Sequence, residues 1–185
     1  MENAALQPNP SRERRPLLLL AGIALAVGLV AVVGLLFSLR GPSRSTASGE
    51  IVPPFRLAAL DGRQLGPGDY AGRVVLIDFW ATWCGPCHLQ ADVLAELYPR
   101  LAGEGVAFLA VSVGEKEATV REYAAKKPYA WPVLLDSEHT VSDQMRVSVL
   151  PTIVVLDGEG REVFRQGGLT DAATLERAIR QAARG

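Results

Sequence analysis

The longest apolar run of the chain lies near its beginning, at residues 17–39, where no side chain is charged and only Ser38 carries a hydroxyl. These 23 residues would form a helix of about 34 Å, which is long enough to span a bilayer with some tilt. The apolar core of a cleaved signal peptide is shorter, about 7–15 residues, so the pattern favours a retained signal anchor. Cleavage near the small residues Ser45-Thr46-Ala47 remains the alternative. The sequence therefore predicts one transmembrane helix at 17–39.

Behind this run, residues 40–50 are small and polar without periodicity, which is typical of a flexible linker. Residues 51–185 then alternate apolar runs with amphipathic stretches, and Val74–Trp80 is almost continuously apolar, as in a central strand covered on both faces. Strands alternating with helices predict an α/β domain. In chain order, the pattern predicts a hairpin (Phe55–Leu60 with Arg63–Leu65), the strand at Val74–Trp80, a helix at 86–102, a strand at Val106–Val113, a helix at Glu115–Lys127, a strand at Trp131–Leu135, a helix at Glu138–Met145, a hairpin (Thr152–Leu156 with Arg161–Arg165) and a helix at Asp171–Arg184.

Charge adds an orientation and excludes one class of partner. The net charge is −1, with three arginines and two glutamates in residues 1–16, two arginines in 40–49, and 14 basic against 18 acidic side chains in 50–185. No basic stripe runs along the predicted domain, so we expect no nucleic-acid partner. The one-arginine excess before the apolar run favours a cytoplasmic tail at 1–16 and a domain on the other side of the membrane.

The only two cysteines, Cys84 and Cys87, directly follow the central strand and open the predicted helix. Thiols at positions i and i+3 of a first helical turn lie roughly 5–6 Å apart, within disulfide range. The helix N-terminus favours an anion, so it stabilises the thiolate of Cys84. The pattern therefore predicts a redox-active disulfide in which Cys84 is the exposed nucleophile and Cys87, more buried, resolves the mixed disulfide.

Other uses of two cysteines are less consistent with the sequence. A structural disulfide closing so short a loop would constrain the unfolded chain very little. Zinc would need two further ligands, and only His88 and His139 are available. Cys84 to His88 also spells the c-type haem attachment pattern, with Met145 as a second axial ligand, yet an apolar strand leads directly into the motif. We expect neither a metal nor another cofactor, and the c-type cytochrome remains the non-enzyme alternative.

At this point residues 50–185 resemble the TlpA/ResA-like membrane-anchored thiol–disulfide oxidoreductases of the thioredoxin superfamily. The resemblance implies a thioredoxin fold: a central mixed sheet flanked by helices, with an N-terminal β-hairpin and an inserted αβ unit near 115–135. It rests on several segments in this order: Pro54-Phe55-Arg56-Leu57, Asp61-Gly62-Arg63, Asp69-Tyr70-Ala71-Gly72-Arg73-Val74-Val75, the run from Asp78 to Cys87, and Val149-Leu150-Pro151-Thr152.

Asp78 is the most informative residue outside the dithiol. It places a carboxyl in an apolar strand, six residues before Cys84, and burial there should raise its pKa. The resemblance implies that Asp78 accepts the proton of the resolving thiol. A carboxylate that only caps a nearby N–H group is the alternative.

The resemblance also implies a substrate surface around the dithiol. Pro151 would be cis and face the cysteines, so that the backbone of Leu150 pairs with a substrate peptide; a plain turn proline is the alternative. Gly85 and Pro86 are expected to contact substrate and, as the resemblance implies, favour a reducing dithiol. Trp83 is expected as a partly exposed contact residue.

Two positions depart from the family pattern. Gln90 stands where related proteins usually carry a proton-exchanging glutamate, and Asp92 stands where a helix-kinking proline is common. The segment Arg146 to Val149 also lacks the glycine-rich stretch of the apocytochrome-maturation branch.

The function implied is an extracytoplasmic reductase of envelope-protein disulfides. A role in cytochrome c biogenesis is one form of this function in the family, and the missing glycine-rich stretch weakens that assignment. Its partners would be protein thiols and disulfides, with a transmembrane thiol transporter of the CcdA/DsbD type as electron donor, at the bacterial cytoplasmic membrane. The enzymatic alternative is a thiol peroxidase of the AhpC/TSA type. That class uses a Pro-x-x-x-Thr-x-x-Cys loop, whereas here Thr82 lies two residues before Cys84 and no proline precedes it.

Overall fold

A five-stranded sheet forms the centre of the computed structural model, which describes Gly28 and residues 48–184. Its strands are β3 (Val75–Trp80), β4 (Ala107–Val113), β5 (Val133–Asp136), β6 (Thr152–Leu156) and β7 (Glu162–Gly167). The strand order is β5-β4-β3-β6-β7; β3, β4 and β5 are parallel, and β6 and β7 are antiparallel to their neighbours. This is the mixed sheet that the resemblance implied.

Side chains of the central strand β3 alternate between two apolar cores, one on each face of the sheet. The helices that cover the sheet are α1 (Gly85–Gly103), α2 (Glu117–Lys126), α3 (Thr140–Gln144) and α4 (Ala172–Ala182). Leu76 and Trp80 pack on the face that also holds both cysteines and buried residues of α1, α2 and α4. Ile77 and Phe79 pack on the opposite face with α3 and the N-terminal hairpin. Every residue of β3 is buried, which explains its nearly unbroken apolar sequence.

The predicted N-terminal hairpin is present but short. β1 (Leu57–Ala58) and β2 (Gln64–Leu65) pair antiparallel, with Gly62 in the turn at φ +86°. A single bridge between Ala59 and Leu134 joins the hairpin to β5 at the edge of the main sheet.

The element order predicted from the sequence is confirmed, although the bounds of most elements differ from the predicted ones by one or more residues. Two helix starts have a clear physical reason. The helix predicted from Glu115 begins at Glu117, because the Glu115 side chain turns back towards the sheet. The helix predicted from Glu138 begins at Thr140, where the carboxylate of Asp136 accepts the N–H groups of Val141 and Ser142 at 3.0 and 2.8 Å.

The predicted membrane helix at 17–39 and the tail at 1–16 lie outside the described residues, apart from Gly28. Among the residues that are described, no helix combines the length and apolarity needed to cross a bilayer.

Candidate active site

Cys84 and Cys87 form a disulfide at the start of α1. The sulfurs are 2.05 Å apart and the Cα atoms 5.3 Å apart. Cys84 is the N-cap residue, and its Sγ accepts a hydrogen bond from the backbone N–H of Cys87 at 3.3 Å. Gly85 and Pro86 follow as the exposed first two residues of the helix. The predicted placement of the Cys84 sulfur at the helix N-terminus is therefore confirmed for the disulfide form.

The expected exposure of Cys84 is wrong for the disulfide form. Its relative exposure is 5%, against 1% for Cys87, so both cysteines are buried although Cys84 is the less so. The physical reason is the N-cap geometry, which folds the Cys84 side chain back over the first helical turn instead of towards solvent.

Asp78 is fully buried on the same face of β3 as Trp80. Its strand neighbours are Ala110 in β4 and Ile153 in β6, and neither of its carboxyl oxygens has a hydrogen-bond partner. Without donors, the charged form is poorly solvated, and burial raises the pKa of Asp78 from 3.8 to about 7. The alternative of a carboxylate that caps a nearby N–H is wrong, and the predicted rise in pKa is confirmed.

Aromatic rings cover this part of the core. Trp80 packs against Tyr123 and Tyr129, with ring centroids 5.3 and 5.0 Å away. Trp80 Nε1 and the Tyr123 hydroxyl are buried without a hydrogen-bond partner. Burial, followed by the nearby charge of Asp78, raises the pKa of Tyr129. The surroundings of Asp78 are therefore apolar and aromatic, which explains why its charge is disfavoured.

The turn before Cys84 is held from two sides. The backbone N–H of Cys84 donates to Ala81 O at 3.2 Å. Within this turn, the N–H of Thr82 donates to Glu115 Oε2 at 2.8 Å. On the other side His88 Nε2 lies 2.9 Å from Thr82 O, and the His88 ring stacks on Tyr123. His88 is therefore partly buried and contacts both the turn and Tyr123.

Pro151 lies beyond the same edge of the sheet as the dithiol, because Thr152 at the start of β6 pairs with Phe79 near the end of β3. The Leu150–Pro151 peptide bond is cis, as the resemblance implied. Leu150 is half-buried and packs against both cores. Gly168 N donates to Pro151 O at 2.7 Å, which ties this loop to the end of β7.

Exposed apolar side chains come from four segments at this end of the domain. Trp83, expected to be partly exposed, is 73% exposed. The others are Leu89 in the first turns of α1, Val149 before the cis proline, and Leu169 after β7.

Gln90 is completely buried and joins two of these segments. Its Oε1 accepts the Thr170 N–H at 2.7 Å, and its Nε2 donates to Thr170 O at 3.2 Å. The other departure from the family pattern, Asp92, pairs with Lys127 at 2.7 Å on the surface. Residues 48–184 contain no cluster of three or more His, Cys, Asp or Glu side chains suited to a metal ion.

The sequence pattern did not identify Glu115 as a site residue. Thr82 entered only through its spacing from Cys84, which differs from that of the peroxidase loop. Glu115 stands at the start of the helix predicted for Glu115–Lys127, where a glutamate carries no distinctive signal. Its contact with Thr82 spans 33 positions and follows only from the parallel pairing of β3 with β4.

The chain is similar to known redox proteins. The AhpC/TSA family model matches residues 48–162. Thiol-disulfide oxidoreductase ResA from Bacillus subtilis (strain 168) is 30% identical over 152 residues, covering 82% of this chain and 85% of that protein. ResA from Geobacillus thermodenitrificans (strain NG80-2) is 36% identical over 117 residues, covering 63% of this chain and 67% of that protein. A crystal structure from Chlorobium tepidum, described as a thiol:disulfide interchange protein DsbE, matches with a TM-score of 0.68 at 27% identity, covering 72% of this chain and 96% of that one.

These relatives distinguish between the two enzymatic alternatives. The AhpC/TSA model includes the name of the peroxidase class, but the curated relatives that match over most of their length are thiol–disulfide oxidoreductases. The motif agrees with them, because the peroxidase loop is missing and a second cysteine stands three residues after the first. The chain belongs to the AhpC/TSA family and, within the thioredoxin superfamily, is a TlpA/ResA-like thiol–disulfide oxidoreductase.

Proposed function

We propose that the protein is a membrane-tethered reductant of protein disulfides that works outside the cytoplasm. Residues 17–39 would anchor it in the bacterial cytoplasmic membrane with 1–16 inside the cell, and the linker at 40–50 would carry the domain at 51–185 on the periplasmic side. Disulfides form outside the cytoplasm, where some must later be reduced, whereas cytoplasmic thiols are already kept reduced. A membrane-anchored dithiol is therefore better suited to act outside the cytoplasm.

In the first step, the thiolate of reduced Cys84 attacks one sulfur of a substrate disulfide. A bond forms between Cys84 Sγ and that sulfur, the substrate S–S bond breaks, and one substrate thiolate leaves and takes a proton. The Cys87 N–H that bonds Cys84 Sγ supports this role, because a donor at the helix N-terminus stabilises the thiolate.

In the second step, the Cys87 thiolate attacks Cys84 Sγ. The Cys84–Cys87 disulfide forms, the mixed disulfide breaks, and the second substrate thiolate is released, so two electrons pass from the dithiol to the substrate. Cys87 must lose its proton first, and it is almost completely buried. We assign the acceptor role to Asp78, because its carboxyl is buried on the same face of the sheet, has no competing donor, and has a pKa raised to about 7. This buried acid is the single observation that carries the mechanism.

The exposed apolar residues support a polypeptide substrate. Trp83 precedes the nucleophile, Leu89 follows the dithiol, and Val149 precedes the cis proline, so exposed apolar side chains come from each of the segments that would meet a substrate. The backbone of Leu150 would pair with an extended substrate segment. Apocytochrome c cysteines belong to this substrate class, and a thiol transporter of the CcdA/DsbD type would return the enzyme to the dithiol state.

The experiment that tests this function traps the first step. A Cys87→Ser variant, expressed with its membrane segment, should accumulate mixed disulfides through Cys84, and mass spectrometry should identify envelope proteins as partners. The matched Cys84→Ser variant should trap far fewer. Equal trapping by both variants, or partners confined to the cytoplasm, would contradict the proposal.

A further inference from the structure

Glu115 has an unusual environment for a carboxylate. It is 8% exposed and lies just after β4, at the edge of the sheet where β3 also ends. Its hydrogen bonds come from the Thr82 N–H at 2.8 Å, from the Thr82 hydroxyl, and from the Ser112 hydroxyl at 3.1 Å. None of the ion pairs among the described residues includes it. Burying a carboxylate away from cations is costly, so these three donors are what hold it in place.

Through these contacts Glu115 binds the turn that leads into Cys84 and α1. Thr82 sits within the turn closed by the Cys84 N–H to Ala81 O bond. Its N–H and hydroxyl both reach Glu115, and its carbonyl meets His88 in the first turn of α1. All three polar groups of Thr82 are therefore fixed, two of them by one side chain.

We propose that Glu115 is a positioning residue for the nucleophile: it acts through Thr82 to hold the turn that presents Cys84 as the N-cap of α1. The inference rests on the proposed role of Cys84 as nucleophile and adds the residue that orients it. Without the Glu115 contacts, Thr82 keeps only its link to His88, and the turn gains freedom. The hydrogen bond from the Cys87 N–H to Cys84 Sγ would then be broken for part of the time. This would make the Cys84 thiolate less stable and less well oriented for attack.

The contacts of Glu115 allow the effect of its hydrogen bonds to be tested separately from the effect of its negative charge. In a Glu115→Gln variant, the amide oxygen can replace Oε2 and accept from the Thr82 N–H and the Ser112 hydroxyl. The amide nitrogen then replaces Oε1 and donates to the Thr82 hydroxyl, which can reverse its role because hydroxyls both donate and accept. Glu115→Gln therefore keeps the geometry and removes the charge, whereas Glu115→Ala removes both.

The test compares four variants in the reduced full-length protein. The readouts are the second-order rate of iodoacetamide alkylation at Cys84, followed by mass spectrometry, and the rate of reaction with 5,5′-dithiobis(2-nitrobenzoate). We expect Glu115→Ala to slow both rates by roughly 10-fold or more, with Glu115→Gln staying within about 2-fold of wild type. Thr82→Val, which loses only the hydroxyl, should fall between them. The double variant Glu115→Ala/Thr82→Val should be no slower than Glu115→Ala, because the two residues act in one contact.

Loss of stability alone must not mimic this result. Val154→Ala truncates a buried residue in the core on the opposite face of the sheet, so it lowers the melting temperature without touching the turn. We expect its alkylation rate to match wild type at temperatures where both proteins are folded by circular dichroism.

Three outcomes would overturn the inference. These are a wild-type rate in Glu115→Ala, an equal loss in Glu115→Gln and Glu115→Ala, and an equal loss in Val154→Ala at matched stability. Failure of the proposed function looks different, because wild-type protein would then be alkylated chiefly at Cys87.

Discussion

Removing the Asp78 carboxyl should change how the stability of the protein depends on pH. We consider Asp78→Asn in the disulfide form, in which the two cysteines do not titrate. In the folded protein burial raises the pKa of Asp78 to about 7, whereas the unfolded chain releases the same proton near its ordinary 3.8. Between these values the native state holds a proton that the unfolded state has lost. The wild-type free energy of unfolding therefore contains a term that falls as the pH rises through this window.

The magnitude follows from the same two pKa values. One pKa unit corresponds to about 1.4 kcal/mol, so the penalty grows from zero below pH 3.8 to ~4 kcal/mol above pH 7. Between pH 5 and pH 9 the stability of Asp78→Asn should rise relative to wild type by about 3 kcal/mol. The buried asparagine amide adds a cost of about 1–3 kcal/mol, but this cost is the same at every pH and cancels from the change.

Urea unfolding followed by circular dichroism at several pH values measures this change directly. Asp78→Leu is the matched control, because it removes the carboxyl without adding an amide. Its curve should run parallel to that of Asp78→Asn with a different offset. A difference between wild type and Asp78→Asn that stays constant from pH 5 to pH 9 would refute the buried, unpaired carboxyl, and with it the acceptor assigned to Cys87.

Other consequences of the site can be measured separately. Iodoacetamide at near-neutral pH should label reduced protein first at Cys84, because its thiolate lies at the helix N-terminus; predominant labelling of Cys87, read by peptide mass spectrometry, would reverse the two roles. Gln90→Glu should destabilise the protein more at pH 8 than at pH 5, because only the protonated acid can donate to Thr170 O; equal losses in melting temperature at both pH values would contradict the pairing. A reporter that is active only outside the cytoplasm, fused after Gly185, should be active if the proposed orientation is correct, and an inactive reporter with Cys84 protected from impermeant maleimide in spheroplasts would place the domain inside.

The sequence predicted the parts of this fold that depend on local pattern. The unbroken apolar run of β3 indicated a strand covered on both faces, and every residue in it is buried. The same reasoning identified Asp78, because a carboxyl inside such a run can only point into the core or pair locally. Two cysteines at the start of a helix likewise predicted a disulfide capped by the helix N-terminus, which the structure has.

The contacts that could not be predicted join residues far apart in the chain. Gln90 and Thr170 are 80 positions apart, and the departure from glutamate at position 90 gave no hint that both amide groups bind one peptide unit. The burial of Cys84 depends on the direction in which an N-cap side chain folds, which the residue type leaves open.

The site contains two buried carboxyl groups whose surroundings give them different capacities. The Asp78 carboxyl has no hydrogen-bond partner, and burial away from water raises its pKa to about 7. With that pKa the carboxyl can accept and release a proton near neutral pH. Glu115 accepts three hydrogen bonds, two of them from the residue that fixes the turn before Cys84. Under the two proposals, Asp78 moves the proton of Cys87, whereas Glu115 holds the turn that positions Cys84. A change to Asp78 should then act first on the chemistry of Cys87, and a change to Glu115 first on that of Cys84.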